Sequence, residues 1–71
     1  MFEEALRELE KASRKLPKDA VISDHLGDVY YSLNMFNEAK IQWEKSLELA
    51  PEKEEIKQKI KRLKKIAAKT Q

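Results

Sequence analysis

Residues 23–51 read SDHLGDVYYSLNMFNEAKIQWEKSLELAP. Two runs of apolar residues at helical spacing lie around this stretch, separated by the turn residue Asn34. The first predicts a helix over 20–33 that turns Ile22, Leu26, Val29, Tyr30 and Leu33 inward. The second predicts a helix over 37–50 that buries Ala39, Trp43, Ser46, Leu47 and Ala50. Asp19 is suited to cap the first helix, because its carboxylate can accept from the free amides of the first turn. Asn34 is suited to the left-handed conformation that closes a helix, and Asn37 to capping the next one. Pro51 is placed to begin a last helix, where its missing N–H costs nothing.

The chain matches itself when Met1 is laid over Met35. In that register Met1, Phe2, Glu4, Ala5, Glu10, Lys11 and Pro17 recur as Met35, Phe36, Glu38, Ala39, Glu44, Lys45 and Pro51. Residues 2–16 therefore predict another helix, with Phe2, Ala5, Leu6, Leu9, Ala12 and Leu16 on one face and Pro17 ending it. The landmarks Leu26, Gly27 and Tyr30, then Ala39 and Trp43, then Pro51 spell S-x2-L-G-x2-Y, A-x3-W and P. These landmarks and the interval from Met1 to Met35 resemble the tetratricopeptide repeat (TPR) family, whose unit is a helix-turn-helix of about 34 residues. The resemblance covers residues 1–51 and extends by register through the last helix. Ser23 departs from the pattern, which usually has a large apolar residue there, and Trp43 stands where Phe is frequent.

The resemblance implies an all-α fold, the antiparallel helical hairpins of a TPR solenoid in a single domain over 1–71. Residues 2–16 would be the second helix (helix B) of a partial repeat, 20–50 a complete repeat, and 52–69 a capping helix. The D-H-L-G-D-V-Y-Y core is similar to the last repeat of bacterial multi-TPR proteins that end in a short basic helix. Opening in mid-repeat, the chain is expected to be the C-terminal piece of a longer protein. Gly27 lies inside a helix, where Gly costs about 1 kcal/mol relative to Ala. The family register accounts for it: there the first helix of a repeat meets the second most closely. Ala39 and Ser46 are expected as the small residues opposite, with Trp43 and Tyr30 filling the space around the contact.

The chain has 71 residues, enough for one small core. Charged residues make up 39% and hydrophobic ones 41%, with one Gly and two Pro, which suits amphipathic surface helices and argues against disorder. With no Cys there is neither a disulfide framework nor a thiolate metal site. No apolar run approaches the roughly 20 residues that cross a bilayer. Glu3 and Glu4 stand where a signal peptide would be basic, then apolar.

The last helix keeps one face of the repeat and changes the other. In the register that lays Met1 over Met35, Ile56, Ile60, Leu63 and Ala67 answer to Ile22, Leu26, Val29 and Leu33, and are expected to pack on the preceding repeat. Lys57, Lys61 and Lys64 answer to Ser23, Gly27 and Tyr30, and are expected to face water as the surface of a lid. Residues 52–71 hold eight basic and three acidic side chains, a net of +5, against −3 for residues 1–51. The charges suit the helix dipole, with Glu52, Glu54 and Glu55 near its start and Lys towards its end. Glu54–Gln58 and Glu55–Lys59 have pairing spacing. Lys dominates this helix and aromatic residues are absent from it, so a solvated face is preferred to a nucleic-acid or membrane patch.

By the same resemblance the chain is a protein–protein interaction scaffold that binds a peptide or protein on the concave face of its first-type helices. Val21, Asp24, Asp28, Tyr31 and Ser32 would line that face in the complete repeat. Gln58, Arg62 and Lys65 would continue it on the last helix, between Glu55 and Ile66. Tyr31 is the expected exposed anchor, since aromatic residues are favoured in binding hot spots. Asp28 can instead pair with Arg62. The carboxylates of Asp24 and Asp28 argue against a ligand that presents its own carboxylate there. The alternative function is a nucleic-acid or anionic-membrane surface binder that uses the lysine-rich helix.

Catalysis is not expected. The chain has a single His and no Cys. His25 with Asp24 and Asp28 falls short of the three or four ligands that a metal site needs, and no cofactor is expected. The partner that is expected, besides a peptide or protein, is a second copy. Ala5, Leu9 and Ala12 correspond to Ala39, Trp43 and Ser46, yet have no preceding helix to cover them. Self-association through the first helix would hide that face.

Overall fold

The computed structural model describes residues 1–69, and side-chain surroundings through Ile66. Ala67, expected to continue the inward face of the last helix, therefore lies outside the described side chains. The described residues form four α-helices and no strand: α1 (Phe2–Lys15), α2 (Ala20–Ser32), α3 (Phe36–Leu49) and α4 (Glu54–Lys69). They pack in chain order, α1 on α2, α2 on α3 and α3 on α4, with the α2–α3 contact the most extensive. The helix starts carry the period seen in the sequence. Phe2 opens α1 as Phe36 opens α3, and Ala20 and Glu54 open α2 and α4 at the same interval.

The punctuation follows side-chain chemistry where a suitable group is present. Asp19 caps α2, its Oδ1 accepting from the amides of Val21 at 2.9 Å and Ile22 at 3.2 Å. Asn34 takes φ 60°, the left-handed turn between α2 and α3. Two expected boundaries move. α3 begins at Phe36 with Met35 as its cap residue, and Asn37 lies one residue inside the helix, where its side chain caps nothing. The amide of Met35 already bonds to the carbonyl of Tyr30 at 2.8 Å, so the tight turn closes before Asn37 is reached. Pro51 does not open the last helix either. It sits with Glu52 in a turn closed by the Lys53 amide on the Ala50 carbonyl, and α4 starts at Glu54.

The molecule is a slab of 36 × 29 × 14 Å, thin enough that few side chains escape water. One buried cluster joins α3 to α4 through Ala39, Trp43, Ile56, Ile60 and Leu63, with Tyr30, Tyr31, Phe36 and Leu47 packed against it. Leu26 and Ser23 of α2 are also fully buried. The other inward residues expected on α2, namely Ile22, Val29, Tyr30 and Leu33, are only half-buried. On α1 no residue is buried. Ala5, Leu6, Leu9 and Ala12 are half-buried on α2, whereas Phe2 and Leu16 at its two ends are open to water. Leu16 is the residue after the helix, which takes it off the apolar face.

Gly27 has the role that its position predicts, with a different partner. A Cβ built on Gly27 would overlap the indole of Trp43, so the ring itself, and not Ala39 or Ser46, occupies the space opposite. Trp43 is fixed there by its Nε1, which donates to the Asp24 carbonyl at 3.2 Å. Ser46 closes the other end of the same interface, donating from Oγ to the Ala20 carbonyl at 2.6 Å. A Gly27→Leu protein should lose roughly 2 kcal/mol of stability, because overpacking against a held ring exceeds the helix-propensity gain. A thermal melt followed by circular dichroism checks this, and a variant that melts above the wild type would refute the contact.

Candidate functional site: the face shared by α2 and α4

Asp24 and Asp28 lie one turn apart on α2, so their carboxylates project side by side. Lys59 of α4 reaches across to both. Its Nζ lies 2.9 Å from Asp24 Oδ1 and 2.8 Å from Asp28 Oδ1, and 5.7 Å from the centre of the Trp43 ring. The ammonium is partly buried. Burial acts to lower its pKa, but the hydrogen bonds to Asp28 and Asp24 outweigh it and raise the value above the ordinary 10.5. This fork ties the fourth helix to the second over the top of the third.

Beside the fork is a hollow of about 130 Å³, lined by Asp28, Tyr31, Trp43, Lys59 and Arg62. Tyr31 forms an aromatic wall, edge-on to Phe36 at 5.4 Å and tilted over Trp43 at 5.8 Å between ring centres. Arg62 is exposed at the rim and, among the described residues, makes no ion pair. The site thus presents the open part of a phenol ring, backed by the buried indole, beside a guanidinium that makes no ion pair among the described residues. A larger hollow of about 360 Å³ is lined only by the consecutive residues Lys15–Asp19, and is the underside of the α1–α2 turn.

The expected groove residues separate into two groups. Asp28, Tyr31 and Arg62 come together around the hollow, and Asp24 joins them through Lys59. Val21, Gln58 and Lys65 are exposed and add nothing to it, while Ser32 turns its hydroxyl back to the Asp28 carbonyl at 3.1 Å. Two expectations need correction. Tyr31 is not a free anchor, since half of it is taken up by packing on Phe36 and Trp43. Asp28 pairs with Lys59 and not with Arg62, which also removes the expected Glu55–Lys59 pair. Both carboxylates are engaged by the one ammonium, which offsets half of their charge, so the face is less acidic than their positions suggest.

Lys59 is the residue that sequence reasoning missed. The signal was the pair of Asp residues at i, i+4, which calls for a cation from a neighbouring helix. Spacing along α4 offered both Lys59 and Arg62, and only the helix rotation distinguishes them. On the opposite side of α2, Tyr30 donates its hydroxyl to Glu10 of α1 at 3.3 Å. Burial, and then the charge of Glu10, push the phenol above its ordinary 10.0. His25 is exposed. Among the described residues no group of three or more His, Cys, Asp or Glu side chains is placed to hold a metal ion, and no helix is long and apolar enough to cross a membrane.

Replacing Lys59 with Met should cost about 1 kcal/mol, more than an exposed ion pair, because two partly buried carboxylates lose their shared cation. Urea unfolding of the wild type and of Lys59→Met measures it. The pH dependence has a definite sign. Both Lys59 and Tyr30 hold their protons more tightly when folded, so their contributions are complete below 10.5 and 10.0 and are lost as pH rises further. Wild-type stability should therefore decline above about pH 10, and less steeply in Lys59→Met.

In comparisons with known proteins, no family model and no curated protein matches the chain, so its own residues and their geometry carry the functional reading.

Proposed function

We propose that this chain is a TPR-type helical-repeat scaffold, non-catalytic, which binds a peptide or protein partner on the face shared by α2 and α4. The observation that carries the reading is the hollow between Tyr31, Trp43 and Arg62, bordered by the Lys59 fork. The constant interval between equivalent helix starts and the Gly27–Trp43 contact support the repeat register. A rigid aromatic wall with one available guanidinium suits a peptide that offers an apolar side chain next to a carboxylate. The hollow is small, so it would take one side chain, with the rest of the peptide lying along the exposed surfaces of Gln58 and Lys65.

The alternative of a polyanion binder on α4 is weakened by the same contacts. Lys59 is committed to Asp24 and Asp28, and Lys57 lies 3.2 Å from Glu54 and is only half-exposed. Two of the cations that would form a basic stripe are thus engaged internally.

Selection from a displayed random-peptide library tests the reading, with binding followed through the emission of Trp43, the single tryptophan. Enriched peptides should carry an acidic residue next to an apolar one, perturb Trp43, and lose at least tenfold in affinity on Arg62→Glu. Peptides that bind Arg62→Glu as well as wild type would refute this site. Tight binding of a random DNA duplex at physiological salt, abolished by Lys61→Gln with Lys64→Gln, would establish the alternative.

A further inference from the structure

The order of helices leaves the molecule with two unlike ends. α1 and α3 are equivalent by the repeat period, and so are α2 and α4. Inside the chain, α3 is covered on one side by α2 and on the other by α4. α1 has its main contact with α2 and no buried residue, and α4 has its main contact with α3. The side of α1 left open is the one that α3 turns to α2. The side of α4 left open is the one that α2 turns to α3.

A groove runs along that open end. It has a volume of about 520 Å³, is mostly apolar, and is lined by Glu44, Leu47, Glu48, Pro51, Ile60 and Lys64. Shifted back by one repeat period, Glu44, Ile60 and Lys64 become Glu10, Leu26 and Tyr30. There Tyr30 bonds to Glu10, Leu26 is buried, and α3 packs over that side of α2. The groove therefore occupies the register position that receives a helix of the α3 type. The helix in this molecule that has that sequence pattern and lacks a partner is α1.

The observed α2–α3 contacts give the pairs that such an end-to-end contact would make. Gly27 against Trp43 becomes Lys61 against Leu9, and Tyr31 against Phe36 becomes Lys65 against Phe2. Glu38 lies close enough to Tyr30 to oppose ionisation of its phenol, and that pair becomes Lys64 with Glu4. Gln42, one turn from Glu38 on α3 and with its Oε1 buried, becomes Glu8. The α1 side thus offers Glu4 and Glu8 around an apolar strip, and the α4 side offers Lys61, Lys64 and Lys65. All five charged residues are exposed, and Glu8 makes only a loose pair with Lys11 at 3.8 Å. Lys61, expected to face water as part of a lid, stands in the place of Gly27 and would exclude a helix that carried Trp43. The bulk has changed sides, however: Leu9 replaces Trp43, and the lysine stem can lie along it with its ammonium in water.

We propose that copies of this chain stack head to tail, with α1 of one copy seated on α4 and the adjoining α3–α4 groove of the next, Glu4 and Glu8 facing Lys61 and Lys64. The contact is heterologous and does not close on itself, so it builds an open stack and not a dimer. It rests on the repeat register of the proposed function but not on the hollow beside Tyr31, although Lys65 is shared by the proposed peptide path and the stacking face.

Sedimentation equilibrium of the whole chain at increasing concentration, up to the order of 100 µM, tests this against a monomer mass of 8.3 kDa. The mass-average should climb past that of a dimer, and fall back as salt is raised towards about 0.5 M, where charge pairs are screened. Glu4→Lys with Glu8→Lys, and separately Lys61→Glu with Lys64→Glu, should each give a monomer. An equimolar mixture of the two variants should assemble again, since each then meets an oppositely charged end. Circular dichroism checks that each variant is folded, and the salt titration of the wild type tests the same pairs without mutation. A wild type that stays at 8.3 kDa throughout overturns the proposal. So does a species that stops at the dimer and survives Lys61→Glu with Lys64→Glu, which would place a twofold contact on α1 instead.

Discussion

The approach of α2 to α3 at Gly27 is the constraint on which the other contacts depend. With no side chain at that position, the Trp43 indole can lie against the α2 backbone and donate to the Asp24 carbonyl. Once the ring is fixed there, its outer surface becomes the platform for the rest. Ile56, Ile60 and Leu63 of α4 close the cluster around it, and Tyr31 tilts against the ring. Even Lys59 is located by it, with an ammonium held between two carboxylates beside the ring. One glycine thus sets the depth of the core, the width of the hollow and the position of the last helix.

The Lys59 fork shows how a charged group can act as a structural tie in a protein too thin to enclose one. Full burial would make the ion pair expensive, and full exposure would make it weak. Lys59 and Asp24 are each about three-quarters covered, and Asp28 is about half-covered. In that range water still stabilises the charges while their mutual attraction stays above the exposed limit. The tie also gives α4 a fixed rotation, which the apolar contacts of a three-residue strip would define less sharply.

Helix number, type and period could be read from residues alone because each is written in spacing. The recurrence of Met1-Phe2 as Met35-Phe36 gave the interval between α1 and α3, although the start of α3 was expected at residue 37 and lies at Phe36. Asp19 and Asn34 were readable because their chemistry acts locally, within a few bonds of the backbone. Asn37 and Pro51 misled for the same reason: both suit a helix start, but a turn closed by backbone bonds reached completion before one and after the other. The site was readable only in part. That Asp24 and Asp28 share a face is a matter of period, whereas the choice of Lys59 over Arg62 depends on the rotation of α4. The half-burial of Tyr31 depends likewise on where Trp43 comes to rest, which no single helix determines.

The serial packing of the helices bears on how the molecule comes apart. Each main contact joins helices that are neighbours in the chain, so native contacts are short in sequence and their loop-closure entropy is small. Rapid folding from the α2–α3 hairpin is the natural result. Stability is then distributed unevenly along the chain, because α4 is clasped by an apolar cluster and an ion-pair tie while α1 is held on one side only. Amide exchange should grade accordingly, slowest around Trp43 and fastest across α1, where local opening needs little more than the release of a few half-buried side chains. Among the described helices α1 is thus the most labile, and a protease that captures open conformations would meet it before α2, α3 or α4.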